Sequence, residues 1–174
     1  IEMIAPMEKL GLLINIRLVI VGGSCPDIKN IEIVELPWSI ETEVNIIEQF
    51  DVGIMPLFDD EWSRGKCAFK LIQYMACGVP VVASSVGANI DLVTKECGFL
   101  VTDEEEWCSA LLFLFHNVET RILMGKASRR QIVENYSTKS QVLNLATLIK
   151  GVAKGDVNIP NLLESEIGKN IPVS

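Results

Sequence analysis

The amino-acid sequence predicts an open parallel α/β sheet with helices packed against it, and two observations carry that expectation. Residues 17–21 form a continuous apolar run, Leu18-Val19-Ile20-Val21 after Arg17, not an alternating one. Such a run marks a strand buried on both faces, as parallel sheets require. Strand-like segments then alternate along the chain with segments of helical period, the order of an α/β domain.

The elements follow in order. Residues 1–13 read as a weak helix interrupted by Pro6 and Gly11. The chain has no starting Met and no strand before this helix, which reads as a fragment of a longer protein or as a mature end of unexplained origin. After strand 17–21 come Gly22-Gly23, a polar loop over 24–30 and a strand over 31–36. Pro37-Trp38-Ser39 opens a helix with Ser39 as N-cap, and Glu41 and Glu43 sit in the dipole-favoured first turn. Val44, Ile47 and Phe50 supply its buried stripe. Residues 51–57 are the next strand, ended by Pro56, and 58–66 are loop.

A helix over 68–76 carries Phe69, Ile72 and Met75 or Ala76 as its core stripe. Lys70 and Gln73 neighbour one another elsewhere on its surface. Gly78 stops it in the left-handed conformation and Pro80 prevents continuation. Strands follow at 81–84 and 98–101, with a tight turn at 86–89 and a short helix over 89–94 between them. Asp103 and Glu106 form a capping box for a helix running to His116, with Trp107, Leu111, Leu114 and Phe115 on its apolar face. Helices over 118–134 and, capped by Ser137, over 138–150 complete the domain, the last with Val142, Leu145, Ala146 and Ile149 on one side.

The 174 residues, 49% of them apolar, suit one domain over 1–150 and a loosely ordered tail over 151–174. The net charge of −8 argues against a nucleic-acid backbone or an anionic membrane surface as main partner. Five cysteines, an odd number without a CxxC pair, and a single histidine argue against a metal site. They read as reduced, mostly buried thiols of a cytosolic protein. Residues 1–16 lack a signal-peptide pattern, and no apolar run approaches the ~20 residues that span a bilayer. The expected protein is soluble and cytoplasmic.

The chemistry is concentrated in residues 61–84. Parallel sheets bind ligands beyond the carboxyl ends of their strands, and the loop before helix 68–76 lies on that edge with Gly22-Gly23 and Ser84-Ser85. It delivers Arg64, Gly65 and Lys66 to a helix start whose N–H groups are unpaired, an arrangement suited to phosphate. A tight strand-to-helix turn explains Gly22-Gly23 as well as close ligand approach does. Ser84 and Ser85 are weaker phosphate candidates. Trp38 and Trp62 are read as packing residues, with base stacking a lesser alternative for Trp62. His116 is simplest as a dipole-favoured surface group, and one histidine outside the site supports no nucleophilic triad.

The series 51–57, Gly65-Lys66, 70–76 and 78–84 resembles the carboxy-terminal domain of group 1 (family 4) glycosyltransferases. Val86-Gly87-Ala88-Asn89, Gly98-Phe99-Leu100-Val101 and Asn135-Tyr136-Ser137 extend the resemblance across about residues 17–148. It implies a Rossmann-like sheet forming one half of a GT-B fold. It further implies retaining transfer of a sugar from a UDP-, GDP- or ADP-linked donor to a glycan or lipid acceptor, without metal or cofactor. Arg64 and Lys66 would meet the diphosphate, and Gly65, Lys70, Leu71, Gln73, Gly22 and Gly23 complete the expected donor site. The family carries two glutamates eight positions apart here; this chain has Gly65 and Gln73 instead. The amide oxygen of Gln73 would replace one carboxylate toward the ribose hydroxyls, whereas Asp59, Asp60 or Glu61 would have to replace the other. The acceptor-binding amino-terminal domain and this domain's first strand lie outside the given sequence, as would any membrane attachment. Helix 138–150, which in the family returns to the first domain, would then lack its partner. The alternative is a non-catalytic nucleotide-sugar-binding or interaction module of the same fold.

Overall fold

The structure, a computed structural model, describes residues 3–155. It divides into two compact units, Ile1–Ile132 and Val133–Ser174. The elements of the first unit are α1 (Ile4–Gly11), β1 (Arg17–Val21), β2 (Glu32–Leu36), α2 (Glu43–Ile47), β3 (Gly53–Met55), α3 (Glu61–Arg64), α4 (Phe69–Ala76), β4 (Val81–Ser84), α5 (Asn89–Leu92), β5 (Gly98–Val101) and α6 (Glu104–His116). Helix α7 (Val118–Asn135) follows, then α8 (Thr138–Lys154) in the second unit. The predicted tail lies outside the described residues from position 156 on; residues 151–154 continue α8.

All strand pairs are parallel, confirming the open α/β sheet flanked by helices. Strand β4 is its centre, and all four of its residues are buried. Successive side chains of a strand point to opposite faces, so Val81 and Ala83 join Leu71 and Met75 of α4 in one core. Val82 joins Met3, Met7, Trp107 and Leu114 under α1 and α6 in the other. Helices α1 and α4 therefore lie on opposite faces. Pro6 does not break α1, because it sits in the first turn, where its missing N–H has no intrahelical partner to lose.

Strand β1 is less buried than its sequence predicts. Strand β1 is exposed at Arg17 and half-buried from Leu18 to Val21. Among the described residues β1 pairs only with β2, and β3 only with β4, so no ladder joins β1 to β3. A cavity of about 430 Å³, lined by residues including Arg17, Val19, Val52, Ile54, Leu111 and Phe115, lies between them. The missing neighbour is the physical reason for the partial burial.

Several local expectations also shift. Helix α2 begins at Glu43; the Ser39 carbonyl instead closes a turn, accepting the N–H groups of Thr42 and Glu43. Of its expected stripe only Ile47 is buried, while Val44 is exposed. The Asp103 side chain caps α6 by accepting the Glu106 N–H at 2.9 Å, but the Glu106 carboxylate turns back to the N–H and hydroxyl of Thr102. Ala110 replaces Phe115 on the buried face of that helix. In the second unit, Ser137 caps α8 by accepting the Ser140 N–H, and Val142, Leu145 and Ile149 are exposed. Only Cys97 of the five cysteines is buried; Cys67 is exposed and the other three are intermediate, and all are free thiols.

Candidate functional site

The predicted loop 58–66 contains a helix that sequence reasoning missed. Asp60, in extended backbone, accepts the Ser63 N–H at 2.7 Å and starts α3. That bond holds the Asp60 carboxyl below its usual range. The available signal was an acidic cap followed by Glu61, too short to show a helical period. Arg64 consequently sits in the last turn of α3, and its guanidinium pairs with Asp59 at 2.7 Å. The pair is exposed, so phosphate can compete for the arginine at small cost. The Asp59 carboxyl is held down and the Arg64 guanidinium pushed up by this one bond. Gly65 is the C-cap of α3.

Lys66 is exposed beyond that cap, and its backbone N–H reaches the Ser63 carbonyl at 3.1 Å. Ala68 then adopts φ 54°, ψ 27°, a left-handed conformation unfavourable for a residue with a Cβ, immediately before α4. The buried face of α4 is therefore Ala68, Leu71 and Met75, not the predicted Phe69, Ile72 and Met75; Phe69 is exposed. The Leu71 side chain is fully buried, so only its backbone N–H, in the unpaired first turn, is available to a ligand.

Lys70 and Gln73 meet on Glu43, which the sequence offered only as a first-turn acid and not as a partner of either. Glu43 of α2 accepts the Trp38 indole N–H at 2.9 Å, the Lys70 ammonium at 3.2 Å and the Gln73 amide at 2.8 Å. The indole bond, ahead of the Lys70 and Gln73 contacts, lowers the Glu43 pKa against the opposing effect of burial. With its amide nitrogen committed to Glu43, Gln73 directs Oε1 inward, where it is buried without a partner. No local pattern linked residues 43 and 73; their contact is made by the sheet.

Gly22 lies at the carboxyl end of β1 with φ +72°, its N–H donated to the Leu36 carbonyl at 2.9 Å. A Cβ there would come within 2.8 Å of Trp38 Cβ, so both the turn and the indole's approach require glycine. At Gly23 a Cβ would meet only Ile20, at an ordinary 3.6 Å. Ser84 is buried and structural: its hydroxyl accepts the Leu57 N–H at 2.8 Å. Trp62 is 81% exposed and packs little. Arg64, Lys66, the start of α4 and Gly22 thus belong to the carboxyl-end loops of the sheet. Among the described residues no group of three His, Cys, Asp or Glu side chains could hold a metal ion, and no helix is long and apolar enough to cross a membrane.

The fold and these residues define a parallel α/β domain whose carboxyl-edge segments present exposed Arg64 and Lys66 ahead of a helix start. The family model described as "Glycosyl transferases group 1" matches residues 2–117, and the chain belongs to that family. Solved structures share the fold. Sucrose-phosphate synthase from Thermosynechococcus elongatus has a TM-score of 0.66 at 18% identity, over 88% of this chain and 43% of its own. An S. aureus TarM mutant in complex with fondaparinux, alpha-GlcNAc-glycerol and UDP gives 0.63 at 18% identity, over 84% and 32%. Anabaena HepE in complex with UDP-glucose gives 0.57 at 14%, over 71% and 33%. No curated protein matches the chain. The chain spans less than half the length of each of these structures.

Proposed function

We propose that this chain is the donor-binding half of a glycosyltransferase that uses a nucleotide-diphosphate sugar. The observation that carries the reading is the exposed Lys66 directly ahead of the unpaired N–H groups of α4. A diphosphate there gains charge-assisted bonds from Lys66 and Arg64 together with the helix dipole. The UDP and UDP-glucose held by TarM and HepE make a uridine nucleotide the first donor to try. Sugar transfer would proceed with retention and without a metal, in the cytoplasm, onto an acceptor held by a separate domain. Lys70 and Gln73 would border the ribose, with Glu43 fixing both side chains. Any membrane attachment would belong to regions outside this sequence.

Calorimetric titration of the chain with UDP, GDP and ADP at low salt tests the reading. One nucleotide should bind, and Lys66→Ala should weaken it by roughly tenfold or more, the scale of one lost charge-assisted bond. Unchanged affinity in the variant would remove Lys66 from the site.

The buried Oε1 of Gln73 favours a second reading, a nucleotide-sugar-binding module without turnover. Gln73 cannot accept a ribose hydroxyl through that oxygen without breaking its bond to Glu43 or turning outward. Binding without transfer by the full-length protein, over a broad acceptor set, would select this reading.

A further inference from the structure

Side chains from the segments 38–43 and 70–73 meet in an arrangement that stability alone does not explain. The Glu43 side chain is 16% exposed and takes three donors, the Trp38 indole and Lys70 ammonium on Oε1 and the Gln73 amide on Oε2. The two oxygens of a carboxylate offer about four acceptor positions, so Oε2 keeps one open among the described residues. Because the carboxylate draws the Gln73 amide nitrogen toward itself, the amide oxygen is turned into the protein, where it has no partner. A buried unpaired acceptor is destabilising. Gln73 thus forgoes a satisfied amide, and Glu43 is left as the acceptor that solvent can reach.

Trp38 is arranged in the same sense. It follows the carboxyl end of β2 and lies against the turn at Gly22, where a Cβ would stand 2.8 Å from Trp38 Cβ. Its N–H is bonded to Glu43, yet the residue is 54% exposed. Burial is what ordinarily obliges an indole N–H to find a partner; here the bond fixes a ring that stays open to solvent. The result is a flat apolar face in a set orientation beside a carboxylate acceptor. That pair matches a nucleoside, whose base has a π-face to stack and whose ribose hydroxyls are donors.

We propose that Trp38 and Glu43 form a nucleoside seat, in which the open position on Glu43 Oε2 accepts a ribose hydroxyl and the indole face stacks on the base. The proposal rests on the donor-binding reading and assigns the ribose acceptor to Glu43 of α2, not to Gln73. Gln73 lies roughly 6 Å along α4 from Phe69 at its start, at about 1.5 Å per residue. A diphosphate at that start leaves its ribose beside Lys70 and Gln73, near the carboxylate to which both donate. Lys70 and Gln73 act through Glu43 as positioning residues.

Calorimetry on the 174-residue chain tests the seat. The probes are UDP, GDP and ADP, their 2′,3′-dideoxy counterparts, and inorganic pyrophosphate, which has neither ribose nor base. The chain should bind a nucleotide about tenfold more tightly than its dideoxy form, the scale of one charge-assisted bond. Glu43→Gln should bring that ratio to within about twofold, because its single oxygen is taken by Trp38 and Lys70. Trp38→Leu should weaken the nucleotide about tenfold, the scale of one lost base stack. Pyrophosphate should bind the chain and both variants alike. Weakening of pyrophosphate as much as of the nucleotide would reduce Trp38 and Glu43 to a tie between α2 and α4, which overturns the seat. A preserved ratio in Glu43→Gln overturns the ribose contact, and unchanged nucleotide affinity in Trp38→Leu overturns the stack. In these outcomes the donor-binding reading stands, because the unaltered chain still binds the nucleotide. No binding of any nucleotide by the unaltered chain overturns that reading together with the seat.

Discussion

Strands β4 and β1 have similar sequences and different fates. Val81-Val82-Ala83-Ser84 is buried at every position, whereas Leu18-Val19-Ile20-Val21 is only half-buried. The difference lies in their neighbours. Strand β4 is laddered on both edges, to β3 and β5, while β1 has β2 on one edge and a cavity on the other. A continuous apolar run records the burial that a strand is built for. How much of it is realised depends on what stands beside the strand.

Glycine positions give the largest expected contrast. A Cβ at Gly98, in β5, would stand 1.9 Å from the Val81 carbonyl oxygen, and backbone in a doubly laddered sheet cannot yield. Gly98→Ala should cost more than about 4 kcal/mol or abolish folding, while Gly23→Ala beyond β1 should change stability by less than about 0.5 kcal/mol. Urea denaturation of both variants checks this, and comparable losses would break the contrast. Methyl deletion is a milder version. Val82→Ala should cost about 2–3 kcal/mol, and Val19→Ala, with part of its side chain already in contact with the cavity, less than about 1 kcal/mol.

The smallest expected effect concerns Glu43, which ties α2, after β2, to α4, before β4. Its carboxyl pKa is lowered below the ordinary 4.5, first by the Trp38 indole and then, against burial, by Lys70 and Gln73. A group with a depressed folded pKa contributes stability above its unfolded value, and that contribution is lost as pH falls through the folded value. The Trp38 indole N–H resonance should therefore shift with a midpoint below the ordinary 4.5. A shift centred at 4.5 or higher would show that the tie contributes nothing.

The site was partly legible in the sequence. Arg64, Lys66 and Lys70 stood out because a basic loop before a helix is a local pattern. The helical turn at 61–64 was too short for periodicity to reveal. The face of α4 was misread by one position, because Phe69 and Ile72 are as apolar as Ala68 and Leu71. The left-handed turn at Ala68, which precedes the helix and accompanies the actual choice of face, is not encoded by any glycine.

By itself the sequence determined the parallel α/β class, the strand at 81–84, the caps at Asp103 and Ser137, and the place of the basic loop. These depend on apolar runs, helical period and side chains that bond to nearby backbone, all interactions within a few residues. Only the tertiary structure decided that Glu43 gathers Lys70 and Gln73, that Ser84 is held by Leu57, and that a cavity separates β1 from β3. Those features are contacts between segments 27 to 30 positions apart, or the lack of a neighbouring strand, and no local pattern carries either.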